Sequence, residues 1–146
     1  RRAFATRADG ARIFDVVQVT WNLLEPSTSD VLWEVHDAGM GVIVKEALAN
    51  GRLTARNDHA DFAAQRALLD REAARLNTTI DALALAAVLA QPWCDLVLSG
   101  AARVDHLESN VRALDVAWDH DATSALSALK ETPDTYWSTR ADLQWN

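Results

Sequence analysis

Residues 95–114, DLVLSGAARVDHLESNVRAL, constrain the fold more than any other stretch. The apolar run Leu96-Val97-Leu98 is of strand length and stops at Ser99-Gly100. After it, Val104, Leu107, Val111 and Leu114 recur at helical spacing, so the segment is predicted to be a strand, a turn of small residues and a helix. Gly100, Ala101 and Ala102 put almost no side-chain bulk at the turn. The unpaired N–H groups of the helix start can therefore approach an anion, and phosphate is the natural guest. Arg103 stands beside the turn, where a guanidinium can fork onto phosphate oxygens. His106 and Asn110 follow on the same helical face. On these residues alone, Gly100 is equally well an ordinary turn and Asn110 a surface residue.

The rest of the chain narrows the choice. Its 146 residues are 49% hydrophobic and 24% charged, which suits one domain with a buried core over residues 1–146. A net charge of −7 and a pI near 4.9 exclude nucleic acid and an anionic membrane surface as partners of the average surface, so any anion site must be local. One cysteine, Cys94, allows no internal disulfide and fits a reducing cytoplasm, and no stretch reaches transmembrane length. The basic start RRAFATRADGARIF lacks the apolar run of a signal peptide and opens as though inside a helix, so the chain is expected to be part of something longer.

Residues 14–21, FDVVQVTW, read as a strand covered on both faces, with Gln18 the exception. A buried amide must satisfy a donor and an acceptor, which makes Gln18 either a cross-strand bridge or a group presented to a ligand. A helix over residues 31–39, capped by Ser29 or Asp30 and ended by Gly39, leads to a second strand at 41–46, GVIVKE. Strand, helix and strand in this span form a βαβ unit with parallel strands. The loop at 47–58 lies at the carboxyl end of that strand, where α/β proteins keep their sites. Helices over 59–76 and 80–91 then return the chain to the segment at 95–114, and a short helix near 122–129 precedes an aromatic tail with Tyr136, Trp137 and Trp145.

Three βα repeats belong to an open parallel sheet or to a (β/α)₈ barrel, and a whole barrel takes roughly 250 residues. The order strand, Gly100, small residue, Arg103, His106, Leu107 and Asn110 resembles the last strand-turn-helix of the aldo/keto reductases. In that family it holds the adenosine 2′-phosphate end of NADPH. FDVVQVTWNLLEP resembles the sixth strand, where Gln18 would support the nicotinamide carboxamide, and GVIVKEALANGRL resembles the seventh. The resemblance implies a partial (β/α)₈ TIM barrel, strands six to eight, with Gln18, Lys45, Leu48, Gly100, Arg103, His106 and Asn110 forming the cradle of NADPH. Two residues depart from the pattern. Lys45 replaces the aromatic that stacks on nicotinamide, and Ala47 replaces a proline. A lysine stem can still lie along a ring, and its ammonium can reach a phosphate.

The resemblance implies an oxidoreductase that reduces a small-molecule carbonyl to an alcohol. The family's tyrosine, lysine, aspartate and histidine sit on the first four strands, so this chain alone is expected to be inactive and to need an amino-terminal half-barrel or a second copy of itself. The rival expectation is a non-catalytic half-barrel that binds nucleotide or assembles with itself or a partner; some other phosphate-binding barrel is a weaker third. His36, His59 and His120 form no metal-ligand spacing with Cys94, and no metal is expected. Of six tryptophans, most read as packing residues, Trp33, Trp93 and Trp118 among them. Trp21, at the carboxyl end of a strand, and Trp137 or Trp145, in the tail, are the substrate-pocket candidates.

Overall fold

The computed structural model describes residues 2–143. Helix α1 (Arg2–Ala5) and a two-residue hairpin, β1 (Arg7–Ala8) with β2 (Ala11–Arg12), open the chain. The hairpin turns at Asp9-Gly10, both in the left-handed region. The basic start forms this short helix and the hairpin after it, with Phe4 packed against the core and Arg12 donating to the Ala38 carbonyl.

Strand β3 (Val16–Thr20), helix α2 (Ser29–Asp37) and strand β4 (Gly41–Lys45) form the expected βαβ unit. Helices α3 (Ala63–Arg75) and α4 (Ile80–Leu89) follow, then the two-residue strand β5 (Leu96–Val97) and helix α5 (Val104–Val111). The three strands pair in parallel in the order β3-β4-β5, with Gln18 opposite Ile43 and Val44 opposite Val97. Gly41 has a steric reason to be glycine, since a Cβ there would lie 3.2 Å from the Val16 side chain.

The sheet is covered on one face only. Val17, Val19, Val42, Val44 and Val97 point toward α2 and α4, and Val42 and Val44 are fully buried. The opposite face carries Val16, Gln18, Leu96 and Leu98, all exposed. The expectation of two covered faces, and of a buried Gln18, is corrected accordingly. A run of valines satisfies a one-sided strand as readily as a two-sided one, so composition could not separate the cases.

Helix α4 joins the two halves of the core, and that role explains its composition. Ala82, Leu85, Ala86 and Val88 pack with Trp21, Val44 and Trp93 on one side. Ile80, Leu83 and Ala84 pack with Leu24, Leu69, Leu126 and Tyr136 on the other. A helix that is apolar all round has to be enclosed. Thr79 caps it by accepting from the Ala82 N–H at 3.2 Å. At α2 the cap differs from expectation: the Ser29 hydroxyl donates to the Pro26 carbonyl and accepts from the Trp21 indole, and no side chain caps the helix.

The tail contains more structure than the sequence suggested. Helix α6 (His120–Leu126) is capped by Asp119, whose carboxylate also pairs with Arg75 of α3 at 2.8 Å. The Arg75 guanidinium, aided by the Ala122 N–H, draws the Asp119 carboxyl down to about 2. A further helix, α7 (Pro133–Asp142), follows, with Pro133 in its first turn and Thr132 as cap. Trp145 lies outside the described residues. Among the described residues no helix is long and apolar enough to cross a membrane.

Leu83 is the most economical test of α4 as the common core element. It is fully buried, so Leu83→Ala is expected to destabilise the fold by about 2–5 kcal/mol, measured as a lowered urea midpoint with an unchanged slope.

Candidate functional site

Three parallel strands bring three chain segments to one rim at their carboxyl ends: Trp21-Asn22 after β3, Glu46 after β4, and Leu98-Ser99-Gly100 after β5. The hub of this rim is Asn22, fully buried. Its amide donates to the Glu46 carbonyl at 2.9 Å and to the Tyr136 hydroxyl at 2.9 Å. Its oxygen accepts from the Leu24 and Glu25 N–H groups, each at 3.0 Å. One side chain thus ties the end of β3 to the end of β4 and to α7, with both its donor and its acceptor in use.

The loop after β4 is strained where it turns. Glu46, Ala49 and Asn50 all have positive φ, at 58°, 47° and 53°, and none is glycine. Left-handed backbone costs such residues of order 1 kcal/mol each and persists only where the surroundings dictate it. Here they do, through the Asn22 amide on the Glu46 carbonyl and through the Leu48 carbonyl, which accepts from Gly51 and Leu53. The Glu46 carboxylate takes Arg140 of α7 in a two-pronged pair at 2.7 and 3.1 Å, and Lys45 at 2.9 Å. The Arg140 bond, opposed by burial and assisted by Lys45, holds the Glu46 carboxyl below its ordinary range. Arg52 and Glu131 form a second two-pronged pair that fastens the segment before α7 to the same loop.

Between this loop and the Gly100 turn lies a cavity of about 860 Å³, walled by Lys45, Leu48, Arg56, Gly100, His106 and Arg140 among others. A smaller cavity of about 130 Å³ shares Leu48, Arg56, Gly100 and His106 with it and reaches Asn110. Gly100 has a φ of +64°, and a Cβ there would meet nothing within 4 Å, so the turn faces open space. Asn110 holds the turn from behind by donating to the Ser99 carbonyl at 2.9 Å. Leu48, Gly100 and His106 line both cavities, Lys45 lines the large one only, and Asn110 the small one only.

The other expected residues are placed elsewhere. Arg103 is 69% exposed, lines neither cavity, and pairs with Asp105 at 2.9 Å. That bond raises the Arg103 guanidinium and lowers the Asp105 carboxyl. Gln18 is exposed on the uncovered face of β3. Trp21 packs in the core edge-on against Trp93, with centroids 5.4 Å apart, and forms no part of the cavity lining. Trp137 is half-exposed on α7 beside the Arg140 guanidinium. Arg56, Glu46 and Arg140 line the large cavity and Asn22 braces its rim, and sequence reasoning singled out none of them. Arg56 sits in the loop flagged at 47–58 and contacts the His106 ring, but nothing distinguished it there from Arg52. Arg140 stands 94 residues from Glu46, beyond any local signal. Among the described residues no group of three or more His, Cys, Asp or Glu gathers as a metal site.

The model of the aldo/keto reductase family matches residues 4–131. No curated protein matches the chain. Among solved structures the chain is similar to the thermostable aldo-keto reductase Tm1743, solved with the inhibitor epalrestat. The identity is 22% and the TM-score 0.63, over 78% of this chain and 39% of that one. It is also similar to the aldo-keto reductase AKR11C1 from Bacillus halodurans. The apo form is 19% identical with a TM-score of 0.65, over 80% of this chain and 44% of that one. The holo form is 19% identical with a TM-score of 0.66, over 80% and 41%. The chain therefore spans 39–44% of the length of these structures and has the fold of that part of a (β/α)₈ barrel.

The Glu46 contacts carry a pH signature. A carboxyl lowered on folding adds stability above its ordinary value of 4.5, and that contribution is lost as pH falls through the folded value. Wild type is expected to lose stability on acidification from pH about 6 to about 3 partly through this group. Glu46→Gln should cost about 1 kcal/mol at neutral pH and show a shallower acid decline. Urea unfolding across that range measures both.

Proposed function

Since the chain belongs to the aldo/keto reductase family of oxidoreductases, we propose that it is the carboxyl-terminal, cofactor-holding half of an NADPH-dependent enzyme that reduces a small-molecule carbonyl to an alcohol. The observation that carries this reading is the large cavity between the Leu48 loop and the Gly100 turn, with Arg56 and His106 on its wall. A glycine turn open to solvent, a neighbouring helix start and an arginine without a carboxylate partner among the described residues suit a phosphate group. NADPH would supply the hydride, and the chain would supply orientation and charge.

Within that division, Arg56 and His106 hold the phosphates near the Gly100 turn, and Leu48 covers them. Asn110 keeps the turn in place through Ser99. Arg103 reaches the 2′-phosphate by exchanging Asp105 for it, so its net contribution is reduced by the pair it gives up. Lys45 occupies the nicotinamide end, and Gln18 and Trp137 flank the open side of the rim. A cytoplasmic setting belongs to the same reading, since a single cysteine, Cys94, offers no internal disulfide.

One observation favours the second reading, a module that assembles with itself or a partner. Val104, Leu107, Val111 and Leu114 are exposed apolar residues at helical spacing, β3 and β5 are edge strands, and Ile13, Phe14 and Val16 are exposed at the edge of β3. Both readings require those edges to be covered. The isolated chain is expected to sediment as an oligomer, and a stable, well-folded monomer would count against the half-barrel itself.

Calorimetric titration of NADPH and NADH tests the cradle. Arg56→Ala is expected to weaken both cofactors about tenfold, because the phosphates it serves are common to both. Arg103→Ala should weaken NADPH by less than that and leave NADH unchanged. Equal losses of both cofactors in Arg103→Ala would remove Arg103 from the 2′-phosphate.

A further inference from the structure

Arg56 is exposed, lines both cavities with His106, and meets the His106 ring with its guanidinium. A long exposed side chain has many rotamers, so the direction it keeps depends on how firmly its backbone is held. Residues 52–59 belong to no helix or strand, and side-chain bonds hold this stretch instead. The buried Thr54 hydroxyl accepts from the Arg56 N–H at 3.3 Å and donates to the Gly51 carbonyl at 2.8 Å. Arg66, on α3, does the rest: one terminal nitrogen donates to the Ala55 carbonyl and to the Asn57 carbonyl, each at 2.9 Å. Its Nε donates to Asp70, one turn on, at 3.0 Å, which fixes the plane of the guanidinium.

We propose that Arg66 is a positioning residue for anion binding: by pinning the carbonyls on either side of Arg56, it aims that guanidinium at the cavity. The proposal rests on the reading of Arg56 as a ligand of the cofactor phosphates. Arg66 lines neither cavity, so it acts through Arg56 and not on the anion itself. It is well placed to do so, because α3 is seated in the core by Leu69 and Ala73 and passes that fixed position to the loop. Hydrogen bonds from a charged donor are also stronger than those between neutral groups, which suits two carbonyls with no ladder to hold them. An anion ligand whose direction is set before binding gives up less freedom when the anion arrives.

The test compares Arg66→Met with wild type, as full chains, by cofactor affinity and by the His106 imidazole resonance. Calorimetry is expected to show NADPH and NADH each weakened about threefold to tenfold, because the phosphates Arg56 serves are common to both. In an Arg56→Ala background the same substitution should change affinity by less than about twofold, since the residue it acts through is gone. A loss of equal size in both backgrounds, or no loss in wild type, overturns the proposal. In cofactor-free protein the His106 Cε1–H resonance is expected to move in Arg66→Met toward its position in Arg56→Ala, because both changes take the guanidinium from the ring. A resonance that Arg56→Ala moves and Arg66→Met leaves in place overturns the proposal as well. Arg66→Gln, whose amide is too short to meet both carbonyls, repeats both measurements should the methionine variant fail to fold. Failure of wild type to bind either cofactor would instead remove the reductase reading, and the His106 resonance would still decide whether Arg66 aims Arg56.

Discussion

The buried amide of Asn22 is the contact on which the rim of this sheet depends. A polar group taken out of water costs free energy unless every donor and acceptor finds a partner. Asn22 finds its partners on three separate segments, and in doing so fixes where β4 ends, forces Glu46 into the left-handed region and seats Tyr136 of α7. Burial raises the Tyr136 hydroxyl, which accepts from the Asn22 amide. The cavity wall follows from these contacts, because Lys45, Glu46 and Arg140 all take their places from them.

Electrostatics then divides the site. The chain is acidic, yet cations gather where three parallel strands end, and each is restrained differently. Arg103 is exposed and neutralised by Asp105, Arg56 leans on a histidine, and Lys45 and Arg140 share one carboxylate. An arginine already paired with a carboxylate must exchange it to meet a phosphate, so the pairing matters more for ligand recognition than the presence of the guanidinium. Position in a motif identifies a candidate, and the partner it has in the fold decides what it can contribute.

The uncovered face of the sheet has a similar logic. Val42 and Val44 are buried against helices, whereas Val16 and Leu96 on the reverse side are exposed. In a closed barrel that reverse side is the interior, filled by side chains from all strands. A chain spanning 39–44% of such a barrel's length carries the outer helical layer of its own strands and only its own share of the interior. Gln18 is exposed for this reason, although a glutamine amid valines looked like a buried amide.

Local rules of the backbone made much of this fold legible. Period and turn residues located β3, β4, α4 and α5 within a few positions, and the Gly100 turn was readable because small residues mark it locally. The resemblance in residues 95–114 likewise pointed to Gly100, His106 and Asn110, which share one lining. What the sequence could not determine depends on contacts between distant positions. Asn22 meets Tyr136 across 114 residues, and Glu46 meets Arg140 across 94, so neither pair leaves a spacing to detect. Whether Arg56 or Arg103 faces the cavity, and whether Trp21 lines it or fills the core, was decided only when α5, α7 and the strand ends were packed together. An isolated side chain has a chemistry, and only tertiary packing gives it a neighbour and a direction.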